Sequence, residues 1–257
     1  MKARFFTPRT IAGLGVLTAM VVVLQLLSNY VQFGPISITL ALFPIAVGAM
    51  LYGPIGGFFL GLVDGALVLA APSTISGFFA LAPVGTIITC LGKTSIAGLI
   101  AGFIFKLYKR KTNVEVLAAI VLMIPAFIAA IPDIYSGFLA TEPWGVLIQR
   151  IIRFALASAV AIFIFKGLMK PNEKSVVILT AISVPIINTT LFSIAAFTFF
   201  RNILLSGANA AGRNALYFLI FVWIGWNFFL EFGINAALAP AFHNMYKQID
   251  KGISRRQ

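Results

Sequence analysis

One lysine, two acids and three amides interrupt the apolar stretches of this chain: Lys93, Asp64, Glu231, Asn188, Asn227 and Asn235. Lys93 lies near the middle of the stretch 80–107. At ~1.5 Å of helical rise per residue, each arm of that stretch covers roughly 20 Å, more than half of a ~30 Å hydrocarbon layer. A lysine stem reaches only about 6 Å, so the ammonium cannot easily snorkel to either surface. Intramembrane cations are costly, and they usually face a partner, a water-filled cavity or a ligand. Trp223, Asn227, Glu231 and Asn235 recur at steps of four, which puts them on one helical face. Asn188 follows Pro185 by three, where a proline-freed carbonyl loosens the helix.

Counted from the outer ends of their segments, Lys93, Asn188, Asn227 and Glu231 fall within about 6 Å of one level. Such a set suits ligand binding. Lys93 offers charge and donors to a carboxylate or carbonyl, the asparagines offer both donor and acceptor, and Glu231 offers an acceptor or counter-ion. Trp223 adds a stacking surface. The same residues also fit a Lys93–Glu231 ion pair with asparagines gluing helices together and no ligand at all. Asp64, among glycines, reads as a packing or hinge residue. His243 reads as a surface residue. With one histidine and one cysteine, Cys90, no metal cluster and no intrachain disulfide is expected. Gly92-Lys93-Thr94-Ser95 resembles the end of a phosphate-binding loop, but Ile87 stands where that motif needs glycine. No other catalytic constellation is present, so no enzyme, no resident cofactor and no metal is expected.

The elements that position these residues follow from composition. The chain has 257 residues, 60% of them hydrophobic and 10% charged, with a mean hydropathy of +1.02. Long apolar runs without strand-like alternation predict an all-α, polytopic transmembrane helix bundle in a lipid bilayer. Eight spans are predicted at 10–29, 36–51, 55–71, 80–107, 114–131, 146–169, 176–200 and 216–241. Gly53-Pro54 predicts a tight turn between the second and third. Gly57, Gly61 and Gly65 predict a close-packing face. Residues 72–77 and 201–213 read as loops. The first span follows Lys2, Arg4 and Arg9 without a small-x-small cleavage pattern, and so reads as a retained span.

The net charge of +12 would suggest nucleic acid in a soluble protein; here it sorts by topology, and no nucleic acid is expected. Most basic residues fall at Lys2 to Arg9, Lys106 to Lys111, Lys166 to Lys174 and Lys247 to Arg256. By the positive-inside rule this places both termini in the cytoplasm.

The chain resembles the substrate-binding S components of energy-coupling-factor (ECF) transporters. The resemblance rests on a short second span followed by Leu51-Tyr52-Gly53-Pro54-Ile55-Gly56-Gly57 leading to Asp64. It continues in Gly92-Lys93-Thr94-Ser95-Ile96-Ala97-Gly98, in Pro185-Ile186-Ile187-Asn188-Thr189 and in Asn227-Phe228-Phe229-Leu230-Glu231-Phe232. It covers 10–111 and 176–246 within a single transmembrane domain, 1–257, and leaves 113–174 as a two-span insertion into a six-span core. The resemblance implies a multi-pass protein of the bacterial plasma membrane that captures a vitamin or related micronutrient from outside. It would dock on a coupling subunit carrying two ATPases. Small residues on the first span form the coupling surface in that family, and Ala12, Gly15 and Ala19 are the candidates here. The rival reading is an independent secondary transporter or channel with Lys93 and Glu231 in an ion pathway.

Overall fold

The computed structural model describes residues 7–109 apart from 31, 34 and 35, the isolated positions 148, 151, 152, 155 and 159, and residues 173–254. Helix α1 (Pro8–Ser28) begins with Pro8 in its first turn, capped by the Thr7 hydroxyl, which accepts from the Thr10 N–H. A two-residue antiparallel pairing, β1 (Gln32–Phe33) with β2 (Ile36–Ser37), interrupts an otherwise helical architecture. The buried stretch 38–41 leads into α2 (Leu42–Leu69).

Helix α2 is a folded-back pair rather than one rod. At Gly53 the backbone takes φ 74°, ψ −168°, which favours glycine, and Pro54 then restarts the helix. A Cβ on Gly48 would meet the Leu60 side chain, and one on Gly57 would meet the Ala49 Cβ. Residues so far apart along the chain touch only if the arms 42–52 and 54–69 run back along each other. The turn expected at Gly53-Pro54 is therefore present.

The second arm packs on α4 (Pro83–Lys109) along the glycine row. A Cβ on Gly57 would fall on the carbonyl of Gly98, and one on Gly98 on the carbonyl of Gly57. Only the absence of side chains allows these backbones so close. The Thr94 hydroxyl donates to the Gly61 carbonyl at 2.7 Å and fixes the register between the two helices.

Between α2 and α4 lie α3 (Pro72–Thr74) and a π-helical turn, Ile75–Phe79. After the segment outside the described residues come α5 (Glu173–Thr198), α6 (Arg201–Ala210) and α7 (Ala215–Phe218). A second π-helical turn, Leu219–Ile224, and α8 (Gly225–Ser254) follow. Helix α5 packs on α4 and α8 and completes the core.

Three boundaries differ from the sequence expectation. The stretch 72–77, read as a loop, is wound into helical turns. Residues 201–213, also read as a loop, contain the helix α6, which buries Leu204 and Ala208 one turn apart. The predicted span 216–241 is broken at Gly225 (φ 44°, ψ −134°), beyond which the helix continues to Ser254.

Among the described residues, four helices are long and apolar enough to cross a membrane: Pro8–Ser28, Leu42–Leu69, Pro83–Leu107 and Val176–Thr198. Their outward faces carry Val16, Val23, Ile55, Leu62, Val84, Ile88 and Ile194, all exposed. Large apolar side chains turned outward on several helices suit hydrocarbon rather than water. The chain is a multi-pass membrane bundle. The expected spans at 114–131 and 146–169, and with them the inserted pair at 113–174, lie outside the described residues but for the isolated positions named above.

Candidate functional site

The glycine seam uses Cys90, Thr94 and Gly98 on α4. Lys93, one residue before Thr94, is turned about 100° away from that seam. It is half-buried, and its Nζ lies 5.6 Å from the centroid of the Phe192 ring on α5. That is within cation–π range, an attraction of about 0.5–1 kcal/mol at exposed sites and ~2 kcal/mol when desolvated.

Lys93 lines a cavity of about 60 Å³. Thr86, Thr89 and Cys90 add the same flank of α4, and Thr39 comes from the buried stretch before α2. The aromatic side comes from Phe78 on the first π-turn, with Phe192 and Phe200 from α5 and the residues just beyond it. Ser73 and Thr74 stand at the more exposed rim.

Trp223 is buried on the second π-turn and stands one ring back from the cavity. Its indole packs edge-on to Phe78 (centroids 5.4 Å apart, 85° between planes) and tilted against Phe192 at 6.1 Å. Phe78 in turn meets Phe200 at 5.0 Å. Edge-to-face contacts of this kind add roughly 0.5–1.5 kcal/mol each beyond area burial. The two π-turns thus hold one aromatic cluster over the cavity.

Glu231 is turned elsewhere. Its Oε1 accepts the Thr39 backbone N–H at 2.8 Å, and the Thr39 hydroxyl also hydrogen-bonds this carboxylate. No ion pair joins it to Lys93 among the described residues. The Lys93–Glu231 pair expected as one alternative is therefore replaced by a contact with buried non-helical backbone. Irregular backbone at membrane depth is tolerated where protein satisfies it. The Leu40 N–H is met in the same way by Ser28 Oγ at 3.0 Å.

Asn235, one turn beyond Glu231, donates through Nδ2 to the Glu231 carbonyl at 2.8 Å. Asn227 is buried one turn before Glu231. Asn188 is buried one turn before Phe192 on α5, and its Oδ1 has no hydrogen-bond partner. The bundle therefore brings Lys93 to the cavity wall. Asn188, Asn227, Glu231 and Trp223 lie in the surrounding interior. Ala12, Gly15 and Ala19 are exposed together on α1.

Asp64 was assigned to packing by its glycine neighbours, and its position says more. It is wholly buried, both carboxylate oxygens lack hydrogen-bond partners, and Lys93 and Glu231 both act on it electrostatically. The sequence held a signal for this. An acid within an apolar span needs a cation, and Lys93 is the one basic residue predicted at membrane depth.

Residues 9–131 match the profile of a family described as ECF transporter, substrate-specific component. The match takes in α1, α2 and α4, stops short of α5 to α8, and extends past residue 113 into the segment read above as an insertion. No curated protein and no solved structure matches the chain. Residues 9–131, which include Lys93 and Asp64, are similar to the substrate-specific components of ECF transporters.

Proposed function

We propose that this chain is the substrate-capture subunit of an ECF-type importer, taking a vitamin or related micronutrient from outside the plasma membrane. It hands that cargo to a separate coupling subunit with two ATPases. The observation that carries this reading is the Lys93 cavity: a polar and aromatic pocket inside an apolar helix bundle. A lysine kept at membrane depth without an ion pair among the described residues, beside hydroxyls and ring faces, suits recognition of a ligand better than helix packing. Exposed Ala12, Gly15 and Ala19 leave α1 a smooth flank against which a partner helix could approach closely. At about 60 Å³ the cavity holds only a handful of waters. Loading therefore requires the surrounding rings to move.

Uptake by cells is the test. It should require the coupling subunit and ATPases, and should survive collapse of ion gradients while ATP lasts. Robust gradient-driven transport by the purified chain alone in vesicles would replace this reading with the secondary-transporter one.

A further inference from the structure

The donors and acceptors on the cavity wall are unevenly divided. The Thr86 hydroxyl donates to the Ala82 carbonyl at 2.8 Å, and the Thr89 hydroxyl to the Gly85 carbonyl at 2.6 Å. Thr39 spends its N–H and its hydroxyl on Glu231. A hydroxyl has one proton and two lone pairs, so these three buried threonines can only accept from a ligand. Lys93 is the opposite, with three donors and no acceptor. The remaining inner wall is Val68, Cys90 and ring face from Phe78, Phe192 and Phe200, while the Ser73 and Thr74 hydroxyls stand at the rim.

Charge narrows the choice. Lys93 stands within electrostatic reach of Asp64 and Glu231, neither of which lines the cavity. With one of these acids ionised the group is neutral; with both ionised it is negative. Neither state calls for an anionic ligand to balance Lys93; only with both acids protonated would an anion suit the group, the case that a benzoate probe reports. A cationic ligand would meet the ammonium first. A hydrocarbon would leave Lys93 and the threonine oxygens unpaired, and each buried unsatisfied polar group is costly.

Resting on the capture reading above, we infer that the cavity takes a neutral, planar, single-ring heterocycle of lactam type. Its carbonyl faces Lys93, its N–H groups face Thr86 and Thr89, and its ring lies against Phe78 and Phe192. The small volume excludes several rings and admits one only as Phe78 and Phe192 give way, since a cavity that binds benzene measures about 150 Å³.

Four single-ring probes test this on the purified full-length chain by ligand-observed NMR titration: 2-pyridone, N-methyl-2-pyridone, benzoate and benzylamine. We expect 2-pyridone to bind best and N-methylation to weaken it about tenfold, the loss of one buried hydrogen bond. Thr86→Val and Thr89→Val together should shrink the gap between 2-pyridone and its N-methyl form, while Gly92→Ala, at a site open to a Cβ, should leave it unchanged. Benzoate or benzylamine binding as tightly as 2-pyridone, an unaffected N-methyl form, or no binding by any of the four would overturn the assignment. Each of those results leaves substrate capture standing so long as uptake still depends on the coupling subunit and ATP. Loss of that dependence strikes the capture reading whatever the probes do.

Discussion

Removing the Lys93 ammonium by Lys93→Met is the most informative single perturbation, because its cost falls unequally on two acids. Glu231 keeps its hydrogen bonds from Thr39 whatever happens to Lys93. Asp64 has no hydrogen bond to keep: both its oxygens are buried and unpartnered. Lys93 acts on Asp64 through space rather than in a contact pair, so its removal should cost less than the ~3–5 kcal/mol of breaking a buried ion pair. For a chain of this size ~1 kcal/mol corresponds to roughly 2–4 °C of melting temperature, so Lys93→Met should lower Tm by several degrees but by less than about 10 °C. Adding Asp64→Asn should recover most of that loss. Adding Glu231→Gln should recover clearly less, because that acid is the better supported of the two. The assay is thermal unfolding of the single and double variants in one detergent, followed by a melt with the 2-pyridone probe. A Lys93→Met protein as stable as the parent refutes the electrostatic reasoning. Rescue by Glu231→Gln but not by Asp64→Asn refutes the choice of Asp64 as partner.

Gly57→Ala places a methyl group on the Gly98 backbone, and overpacking of this kind should cost about 1–3 kcal/mol; Gly92→Ala, where a Cβ meets nothing within 4 Å, should melt within about 1–2 °C of the parent. In a Cys90→Ser background, a cysteine at position 109 should resist a membrane-impermeant reagent from outside and react from inside, whereas labelling at 109 from outside contradicts the cytoplasmic placement of the Lys106–Lys111 cluster.

Much of the helix-to-helix framework was legible because it depends on spacing along the chain. Glycines at 57, 61 and 65 lie on one helical face whatever surrounds them, and that face meets α4. Gly53-Pro54 was legible because glycine tolerates positive φ and proline restarts a helix. What spacing does not give is rotation about the helix axis or the path of non-helical backbone. Lys93 and Glu231 were matched by depth alone, yet Glu231 is turned to the backbone at Thr39. Asp64 was read from its neighbours in sequence, and its electrostatic link to Lys93 and Glu231 lies beyond what those neighbours tell. The helix α6 was hidden by its glycine and polar residues, although Leu204 and Ala208 stand one turn apart. The π-turns that carry Phe78 and Trp223 have no sequence signature that would set them apart from ordinary helix.

The hydrogen bond from Thr39 to Glu231 spans 192 residues of chain. At ~5–20 residues per second of synthesis, the glutamate leaves the ribosome about 10–40 s after the threonine. Through that interval the N–H of Thr39 has no partner from α8, and the cavity wall it belongs to is unfinished. The first helices can insert and close their glycine seam while the pocket waits for the last. A nascent chain stalled before α8 would keep a polar backbone group exposed at membrane depth, a local defect by which the cell's membrane quality control could tell an incomplete protein from a finished one.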